Sequence, residues 1–315
     1  MPEPFAARLP LSRAAVDRDH LGRTDGVDRF LADPAARAVV LHGGRALLAP
    51  AGDRLELLPV GDVGQPLFAV YLGRALAGAE DLDEGSPVVL LAVDDDGADA
   101  LTPDRDRWGD LRRIGDRLDD RDAGLFTQAL AIANWHTAYA FAPGSGSPTE
   151  VREAGWARRD PVSGRDVFPR TDPAVIMAVI DDDDRILLGS NAAWDENRFS
   201  LLAGFVEPGE ALEAAVIREV HEESGIRVVD PEYLGSQPWP FPASLMLGFR
   251  ARVAPGASTE PRPDGEEILE LRWFSREELA AELPGIGLPG RSSIARAILE
   301  EWYGDVIDDE RAWPT

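Results

Sequence analysis

Cysteine is absent from the 315 residues of this chain. Its absence excludes disulfide bonds, a thiol nucleophile and a zinc site built on thiolates. Long apolar runs are also missing, because no uninterrupted stretch approaches the ~18–20 residues that a membrane-spanning helix needs. The first five residues carry neither the basic flank nor the apolar core of a secretion signal. We therefore expect a cytoplasmic protein that makes no membrane contact.

Positive charge is scarce, since 32 Lys and Arg face 57 Asp and Glu and leave a formal net charge of -25 at pH 7. A charge of this size repels polyanions at long range and argues against a general nucleic-acid-binding protein. Most of the acidic residues serve solubility, so any that bind cations must be found as a local cluster. With 44% hydrophobic and 28% charged residues, the composition is that of a globular protein of about two domains.

The first part of the chain, residues 1–135, is predicted to be an N-terminal α/β domain. It begins with a polar, irregular stretch, and a turn is predicted at Asp94–Gly97. A helical pattern then runs from about Trp108 to Trp135, with a break near Asp119–Asp122. The predicted strands are Ala38–Leu41, Arg45–Leu48, Leu55–Pro59, Leu67–Leu72 and Pro87–Val93.

Two further parts follow. Residues 136–172 are rich in Pro, Gly and Ser and are predicted to form a connector with little helix or strand. Residues 173–315 mix strands and helices without strict alternation, which predicts a mixed sheet covered by helices. The predicted strands there are Ala174–Ile180, Arg185–Gly189, Ser200–Phe205, Leu245–Val253 and Ile268–Phe274, and the predicted helices are Leu212–Ser224, one that starts at the capping box Ser275–Glu278, and Ser292–Trp302.

The helix Leu212–Ser224 places acidic side chains on its apolar face. At ~100° per residue, Glu219 and Glu223 fall within about 20° of Leu212, on the same stripe as Val216 and Val220. Solvated acids would avoid that stripe. Acids near a helix C-terminus also oppose the helix dipole and raise each other's pKa.

Such a cluster becomes favourable when a divalent cation lies among the carboxylates. Glu222 lies beside the stripe, and Arg218 precedes it by one turn, where it can hold a carboxylate in place. Ligand sets made only of oxygen suit Mg²⁺ or Mn²⁺ rather than zinc. The segment therefore predicts a magnesium or manganese site on this helix.

The same segment resembles the Nudix box, G-x5-E-x7-R-E-U-x-E-E-x-G-U, where U is aliphatic. The matching positions are Gly204, Glu210, Arg218, Glu219, Val220, Glu222, Glu223, Gly225 and Ile226. The resemblance to Nudix hydrolases implies an α/β fold, namely an α/β/α sandwich with a mixed sheet, and hydrolysis of a nucleoside diphosphate linked to another group. It also implies metal ligation by Glu219, Glu222, Glu223 and the Ala203 carbonyl, with Glu210 and Arg218 as bracing residues.

A proline-rich arm follows the box and alternates prolines with two large aromatic residues, Trp239 and Phe241. Such an arm cannot form a central strand. Its rings either pack inward from a surface loop or stack on a base. The residues themselves leave both alternatives open.

The arm, S-Q-P-W-P-F-P-x-S from Ser236 to Ser244, resembles the signature of the NADH pyrophosphatase branch of the Nudix family. Leu245–Met246 and the block Phe168–Ile176 are similar to that branch as well. The resemblance implies cleavage of NADH, and less well of NAD⁺, to nicotinamide mononucleotide and AMP, together with homodimerisation and removal of NAD caps from RNA. It implies substrate contacts at Gln237, Pro238, Trp239, Pro240, Phe241, Pro242, Ala243, Ser244, Phe168 and the Ala295 backbone, and a further metal-ligating or basic glutamate at Glu267.

One departure concerns the four-cysteine zinc ribbon that this branch usually carries before its Nudix domain. The corresponding positions are Ala142, Ser145, Asp160 and Ser163, so the spacing survives without any thiolate. We expect a zinc-ribbon-like connector without zinc, held by packing at Trp156 and Phe168.

Other candidates have structural interpretations. His136 and His221 are expected to be structural and solvent-exposed, respectively, and the acidic run Asp181–Asp184 is expected to be a hairpin turn with solvated carboxylates. The arginines between residues 152 and 170 are expected to pair with neighbouring acids, although they could also meet phosphates.

Two alternative functions remain open. The first is hydrolysis of ADP-ribose or another ADP-linked diphosphate by the same chemistry. The second, from a different class, is a non-catalytic NAD-sensing module on a Nudix fold.

Overall fold

The computed structural model describes residues 4–14, 16–309 and 312. Contacts between residues divide these into two compact units. The N-terminal unit contains residues 13–171 and Trp239–Ala243, and the C-terminal unit contains residues 4–12, Asp172–Pro238 and the chain from Ser244 onward. Within the described residues, every helix falls short of the length and apolarity that crossing a bilayer demands. The three-part division at residues 135 and 172 stays a prediction.

The N-terminal unit is built on a seven-stranded sheet in the order β1-β5-β6-β2-β3-β7, with β4 paired to β2. The strands are β1 (Val16–Asp17), β2 (Arg37–His42), β3 (Arg45–Leu47), β4 (Leu58–Pro59), β5 (Phe68–Ala75), β6 (Pro87–Val93) and β7 (Trp108–Gly109). The helices are α1 (Asp28–Leu31), α2 (Asp95–Leu101), α3 (Leu111–Ile114) and α4 (Asp120–Ala138). Every residue of β6 is buried, as expected for a central strand whose two faces are both covered.

One local prediction in this unit is wrong. The expected turn at Asp94–Gly97 is the start of α2, because the Asp94 side chain accepts the Gly97 N–H at 2.9 Å as an N-cap. The acidic residues that follow it in the first helical turn also favour the positive end of the helix dipole.

The connector contains more strand than expected, in a three-stranded sheet of β8 (Glu150–Arg152), β9 (Ala157–Arg159) and β10 (Asp166–Val167). Trp156 anchors it as predicted, since its indole N–H donates to the Tyr71 carbonyl at 2.7 Å. Phe168 does not serve as a packing anchor, because it is 61% exposed.

His136 is a second anchor of the connector and has the structural role that was predicted. Its Nε2–H donates to the Gly155 carbonyl and its Nδ1 accepts from Arg158, both at 2.8 Å. Burial, with the charge of Arg158 as a smaller contribution, lowers the pKa of His136 to about 4. The imidazole is therefore neutral, with one tautomer selected by its two partners.

The C-terminal unit has a six-stranded mixed sheet in the order β14-β15-β11-β12-β16, with β13 also paired to β11. The strands are β11 (Asp172–Ile180), β12 (Ile186–Asn191), β13 (Leu202–Phe205), β14 (Val228–Trp239), β15 (Ser244–Val253) and β16 (Ile268–Phe274), and the helices are α5 (Leu212–Ser224), α6 (Arg276–Glu282) and α7 (Ile294–Tyr303). β11 runs parallel to β15 and antiparallel to β12 and β13.

Alternate residues of β11 enter two different cores, which makes the unit the predicted α/β/α sandwich. Val175, Met177 and Val179 pack on the side of α5. Ile176 and Ala178 pack on the side of α6 and α7. The period of two along a strand thus supplies apolar surface to both helical layers.

The connector is organised around a buried carboxylate. Asp160 is 4% exposed, and its two oxygens accept the Ser163 hydroxyl at 2.6 Å and the Val162 N–H at 2.9 Å. Ser145 also helps to lower the pKa of this carboxyl, so three of the four positions that were compared with zinc ligands lie in one cluster. Because these oxygens already accept hydrogen bonds from the chain and no thiolate is present, the residues do not fit zinc.

These hydrogen bonds, led by that of Ser163, hold the pKa of Asp160 below its ordinary value. A carboxyl group whose pKa is lower in the folded than in the unfolded chain stabilises the fold at pH values above its unfolded-state pKa. This stabilisation is lost as the pH falls through the folded-state pKa. The cluster therefore stabilises the connector at neutral pH.

We predict that Asp160→Ala lowers the midpoint of thermal unfolding at pH 7 by on the order of 3 °C, whereas a zinc-selective chelator leaves the parent midpoint unchanged. Asp160→Asn, which keeps one acceptor oxygen, should have a midpoint between those of Asp160→Ala and the parent. Differential scanning calorimetry with and without the chelator measures this. An unaltered midpoint in Asp160→Ala, or a lower parent midpoint in the zinc-selective chelator, would contradict the assignment.

Candidate active site

The Nudix-like segment forms a strand, a loop and a helix in the C-terminal unit. β13 leads into a turn at Pro208 and Gly209, where Gly209 has a φ of 89° that suits glycine. α5 then ends at Gly225, which has a φ of 69° and donates its N–H to the His221 carbonyl at 2.8 Å. This is the glycine-capped C-terminus that the sequence predicts.

The glutamates of α5 are buried to very different extents. Glu223 is 5% exposed and the side chain of Glu219 is 12% exposed, whereas the side chain of Glu222 is 58% exposed. Val216 and Val220 on the same face are fully buried. The predicted placement of Glu219 and Glu223 on the apolar stripe is confirmed.

Arg218 connects the acids of the segment. Its guanidinium meets both oxygens of Glu210 at 2.8 Å and one oxygen each of Glu219 and Glu222 at 2.9 Å. It also donates to the Phe205 carbonyl at 3.0 Å. The paired hydrogen bonds from Arg218 lower the pKa of Glu210 to about 2, so this carboxylate remains ionised.

Gly204 makes room for one of these acids. A Cβ atom at this position would lie 2.0 Å from the carboxyl carbon of Glu219. The glycine of the motif is therefore required by the close approach of a carboxylate, since its backbone is not in the left-handed region. Ala203, the predicted carbonyl ligand, precedes it on β13 and pairs with Ile176.

Glu223 is the unsatisfied member of the group. Its Oε2 is buried and has no hydrogen-bond partner. Burial first, and then the charges of Glu267 and Glu219, raise the pKa of Glu223 to about 8. The pKa of Glu219 is also raised by burial, although Arg218 opposes this effect. Without a cation, the site thus holds carboxyl groups that resist ionisation.

This donor set fits a divalent cation. A buried, unpartnered carboxylate oxygen with other carboxylates around it is the environment in which a hard cation replaces repulsion by attraction. Among the side chains that the structure describes, no three acids or histidines stand preassembled as a complete ligand group. The Glu222 carboxylate instead accepts a hydrogen bond from Arg218. The complete set of metal ligands would therefore assemble only when the ion binds.

Phe205 is a candidate functional residue that the sequence reasoning missed. It follows Gly204 on β13 and is 60% exposed. An exposed phenyl ring of this size next to a polar site is suited to stacking on a base. The only signal in the sequence was a large aromatic residue directly after the first glycine of the box.

Residues Trp239–Ala243 of the arm belong to the N-terminal unit. The Asn134 side-chain amide donates to the carbonyls of Pro240 and Pro242 at 2.9 and 3.1 Å. The Arg112 guanidinium lies 4.1 Å from the centre of the Phe241 ring, and Trp239 meets that ring edge-on at 4.8 Å. Residues Pro240–Pro242 thereby line a cavity of about 810 Å³ in this unit.

The remaining predicted substrate contacts occupy dissimilar environments. Gln237 is fully buried, and its amide group accepts from the Leu11 N–H at 3.1 Å and donates to the Ser292 carbonyl at 3.0 Å. The Ala295 N–H, at the start of α7, donates to the Ser293 hydroxyl at 3.2 Å. Any influence of Gln237 on a substrate would therefore act through the segments that it joins. Pro238 and Ser244 are partly buried in the C-terminal unit.

The other acidic and basic candidates are mostly structural. His221 is exposed, as predicted. Asp181 differs from the predicted solvated turn, because it is 3% exposed and accepts from the Arg185 side chain and backbone at 2.8 Å. In the connector, Arg159 forms the expected ion pair with Asp166 through two hydrogen bonds, whereas Arg158 contacts His136 and Thr149 instead of an acid.

Comparison with known protein families gives two matches along the chain. Residues 170–296 match the NUDIX domain. Residues 35–135 match the NADH pyrophosphatase-like rudimentary NUDIX domain. The second match covers most of the N-terminal sheet, a part of the chain in which the sequence analysis found no family motif.

Curated relatives match over most of the chain. A "NAD-capped RNA hydrolase NudC" of Mycobacterium bovis is 41% identical over 311 residues, covering 93% of this chain and 94% of its own length. The human "NAD-capped RNA hydrolase NUDT12" is 39% identical over 200 residues, covering 59% of this chain and 43% of its own length. A solved NUDIX hydrolase from Nitrosomonas europaea is 21% identical with a TM-score of 0.41, covering 52% of this chain and 93% of that one. The chain therefore belongs to the Nudix hydrolase family, in the NADH pyrophosphatase branch that contains the NudC proteins.

Proposed function

We propose that this protein hydrolyses the diphosphate bond of NADH and NAD⁺ to nicotinamide mononucleotide and AMP, with Mg²⁺ or Mn²⁺ as cofactor. The observation that carries the proposal is the buried, unpartnered oxygen of Glu223 among further carboxylates on α5. The names of the NudC and NUDT12 relatives and the match to an NADH pyrophosphatase-like domain support the choice of substrate.

In the proposed reaction, Glu219, Glu222, Glu223 and the Ala203 carbonyl hold the cation, with Glu267 as a further ligand or as the base. A bound divalent ion would supply neutralisation of the diphosphate and a lower pKa for a coordinated water. Glu210 and Arg218 brace the site, since Arg218 keeps Glu210 ionised and fixes Glu219 against Gly204. Water bonds to phosphorus, the bond from phosphorus to the leaving nucleotide breaks, and a carboxylate takes the proton of the water.

An aromatic ring of the C-terminal unit would orient one nucleotide half, because Phe205 is 60% exposed and free to stack on a base. Phe168 and Trp239, with its neighbours in the arm, are proposed as further substrate contacts because of the resemblance to the NADH pyrophosphatase branch. NAD-capped RNA is a further proposed substrate, and a cytoplasmic homodimer is the proposed working form.

One prediction concerns the products of NADH hydrolysis. NADH incubated with the protein and Mg²⁺ or Mn²⁺ in ¹⁸O-labelled water should give AMP and reduced nicotinamide mononucleotide, with the label on a single product. Mass spectrometry identifies the bond cleaved and the phosphorus attacked in one experiment. A much higher kcat/KM for ADP-ribose than for NADH would favour the ADP-linked alternative, and tight NADH binding without AMP release would favour the sensor.

Another prediction concerns the buried acids Glu219 and Glu223. Glu223→Gln and Glu219→Gln should each reduce kcat by roughly 100-fold or more, because each removes a charge required for cation binding. Glu213→Gln, an exposed acid in the first turn of the same helix, is the matched control and should retain parental kcat. Steady-state kinetics with circular dichroism checks both activity and fold. Near-parental turnover in both buried-acid variants would refute their proposed roles.

A further inference from the structure

Glu267 is an exposed carboxylate that nevertheless has a defined backbone. It directly precedes β16, and its N–H donates to Oδ1 of Asp264 at 3.0 Å. The same oxygen accepts from Glu266 and Ile268, each at 2.9 Å. The Gly265 N–H closes the loop on the Ile268 carbonyl at 3.1 Å. One side-chain atom of Asp264 thus organises three successive backbone amides around Glu267.

A second residue holds the side chain of Glu267. The Asn191 amide donates to Glu267 Oε1 at 3.3 Å, while its own Oδ1 accepts from the Ala193 N–H at 2.9 Å. The Ala192 N–H also donates to the Glu267 carbonyl at 2.8 Å. The end of β12 therefore contacts both the backbone and the carboxylate of Glu267.

The sheet is irregular at the same place. Ser190 pairs with Glu270, but the next residue, Asn191, pairs with Ile268, so Leu269 is an extra residue in β16. Bulges of this kind bend a strand and redirect its side chains, and they recur beside active sites. Here the bulge lies between the regular part of β16 and Glu267.

Glu267 lies next to the core on which α5 packs. The residue after it, Ile268, is buried in the same apolar cluster as Val216 and Val220 of α5. A freely rotating glutamate on an exposed loop would lose side-chain entropy each time it joined a ligand set. Pre-ordering removes part of that loss before the cation arrives.

We propose that Asp264 and Asn191 are positioning residues that hold Glu267 towards Glu223 for cation binding. Asp264 sets the backbone and Asn191 sets the carboxylate. The proposal rests on the proposed function for its catalytic consequence, but its effect on metal affinity stands apart from any substrate. Groups that orient metal ligands typically contribute 10–100-fold in affinity or activity.

The test compares Asp264→Ala with Asp264→Asn, which keeps an oxygen able to accept the three amides. Asp264→Ala should weaken Mn²⁺ binding about tenfold and lower kcat by a similar factor, with KM for NADH within about twofold. Asp264→Asn should restore most of both quantities. Asn191→Ala should weaken Mn²⁺ binding in the same direction. Asp33→Ala, which removes a comparable cap from the Ala35 N–H in the other unit, is the control.

A double-mutant cycle separates positioning from a general loss of order. If Asp264 acts through Glu267, then Asp264→Ala adds nothing to the Mn²⁺ affinity or kcat of Glu267→Gln. Full additivity of the two changes, or parental Mn²⁺ affinity in Asp264→Ala by electron paramagnetic resonance titration, overturns the proposal. Weakened Mn²⁺ binding in Asp264→Ala, together with a parent protein that leaves NADH intact, would refute the proposed function and retain the positioning role.

Discussion

Carboxylates on the buried stripe of α5 impose the constraint around which the C-terminal unit is arranged. Glu223 carries a buried oxygen without a partner, and its pKa is raised to about 8. When the chain folds without a cation, the burial of the Glu223 carboxyl therefore opposes its ionisation. Gly204 leaves room for Glu219, and Arg218 offsets part of the charge. Each of these features is explained if the segment is built for an ion.

The chain uses acidic residues in two opposite ways. Asp160 and Asp264 accept several hydrogen bonds, and their pKa values are lowered by them. These acids organise loops. Glu219 and Glu223 are buried with too few donors, and their pKa values are raised. In these two pairs of acids, the direction of the pKa shift separates the carboxyls that organise loops from the carboxyls proposed to bind a cation.

Sequence reasoning predicted the parts that are governed by a local pattern. The apolar stripe of α5 follows from a period of 3.6 residues, the strand β11 follows from the apolar run Ala174–Ile180, and both agree with the structure. β14 was not predicted as a strand, because Pro231 and Pro238 interrupt its pattern. It lies at the edge of the sheet, where a missing N–H is tolerated.

Features that depend on contacts between residues far apart in the sequence could not be predicted. The sequence could place Asp160 at a former ligand position, but it could not reveal that Ser145 and Ser163 bond to it. The packing of the arm on Asn134 and Arg112 joins residues more than a hundred positions apart. The loop that orders Glu267 likewise depends on Asn191, which lies on another strand.

A cation that binds beside Glu223 must displace the proton that burial and the neighbouring carboxylates hold on this side chain. Calorimetric titration with Mn²⁺ at pH 7, in buffers of different ionisation enthalpy, measures the protons released on binding. A pKa of about 8 predicts release of close to one proton from Glu223 in the parent protein, and a smaller release in Glu223→Gln. Mn²⁺ binding without proton release, or an equal release in the variant, would contradict the account.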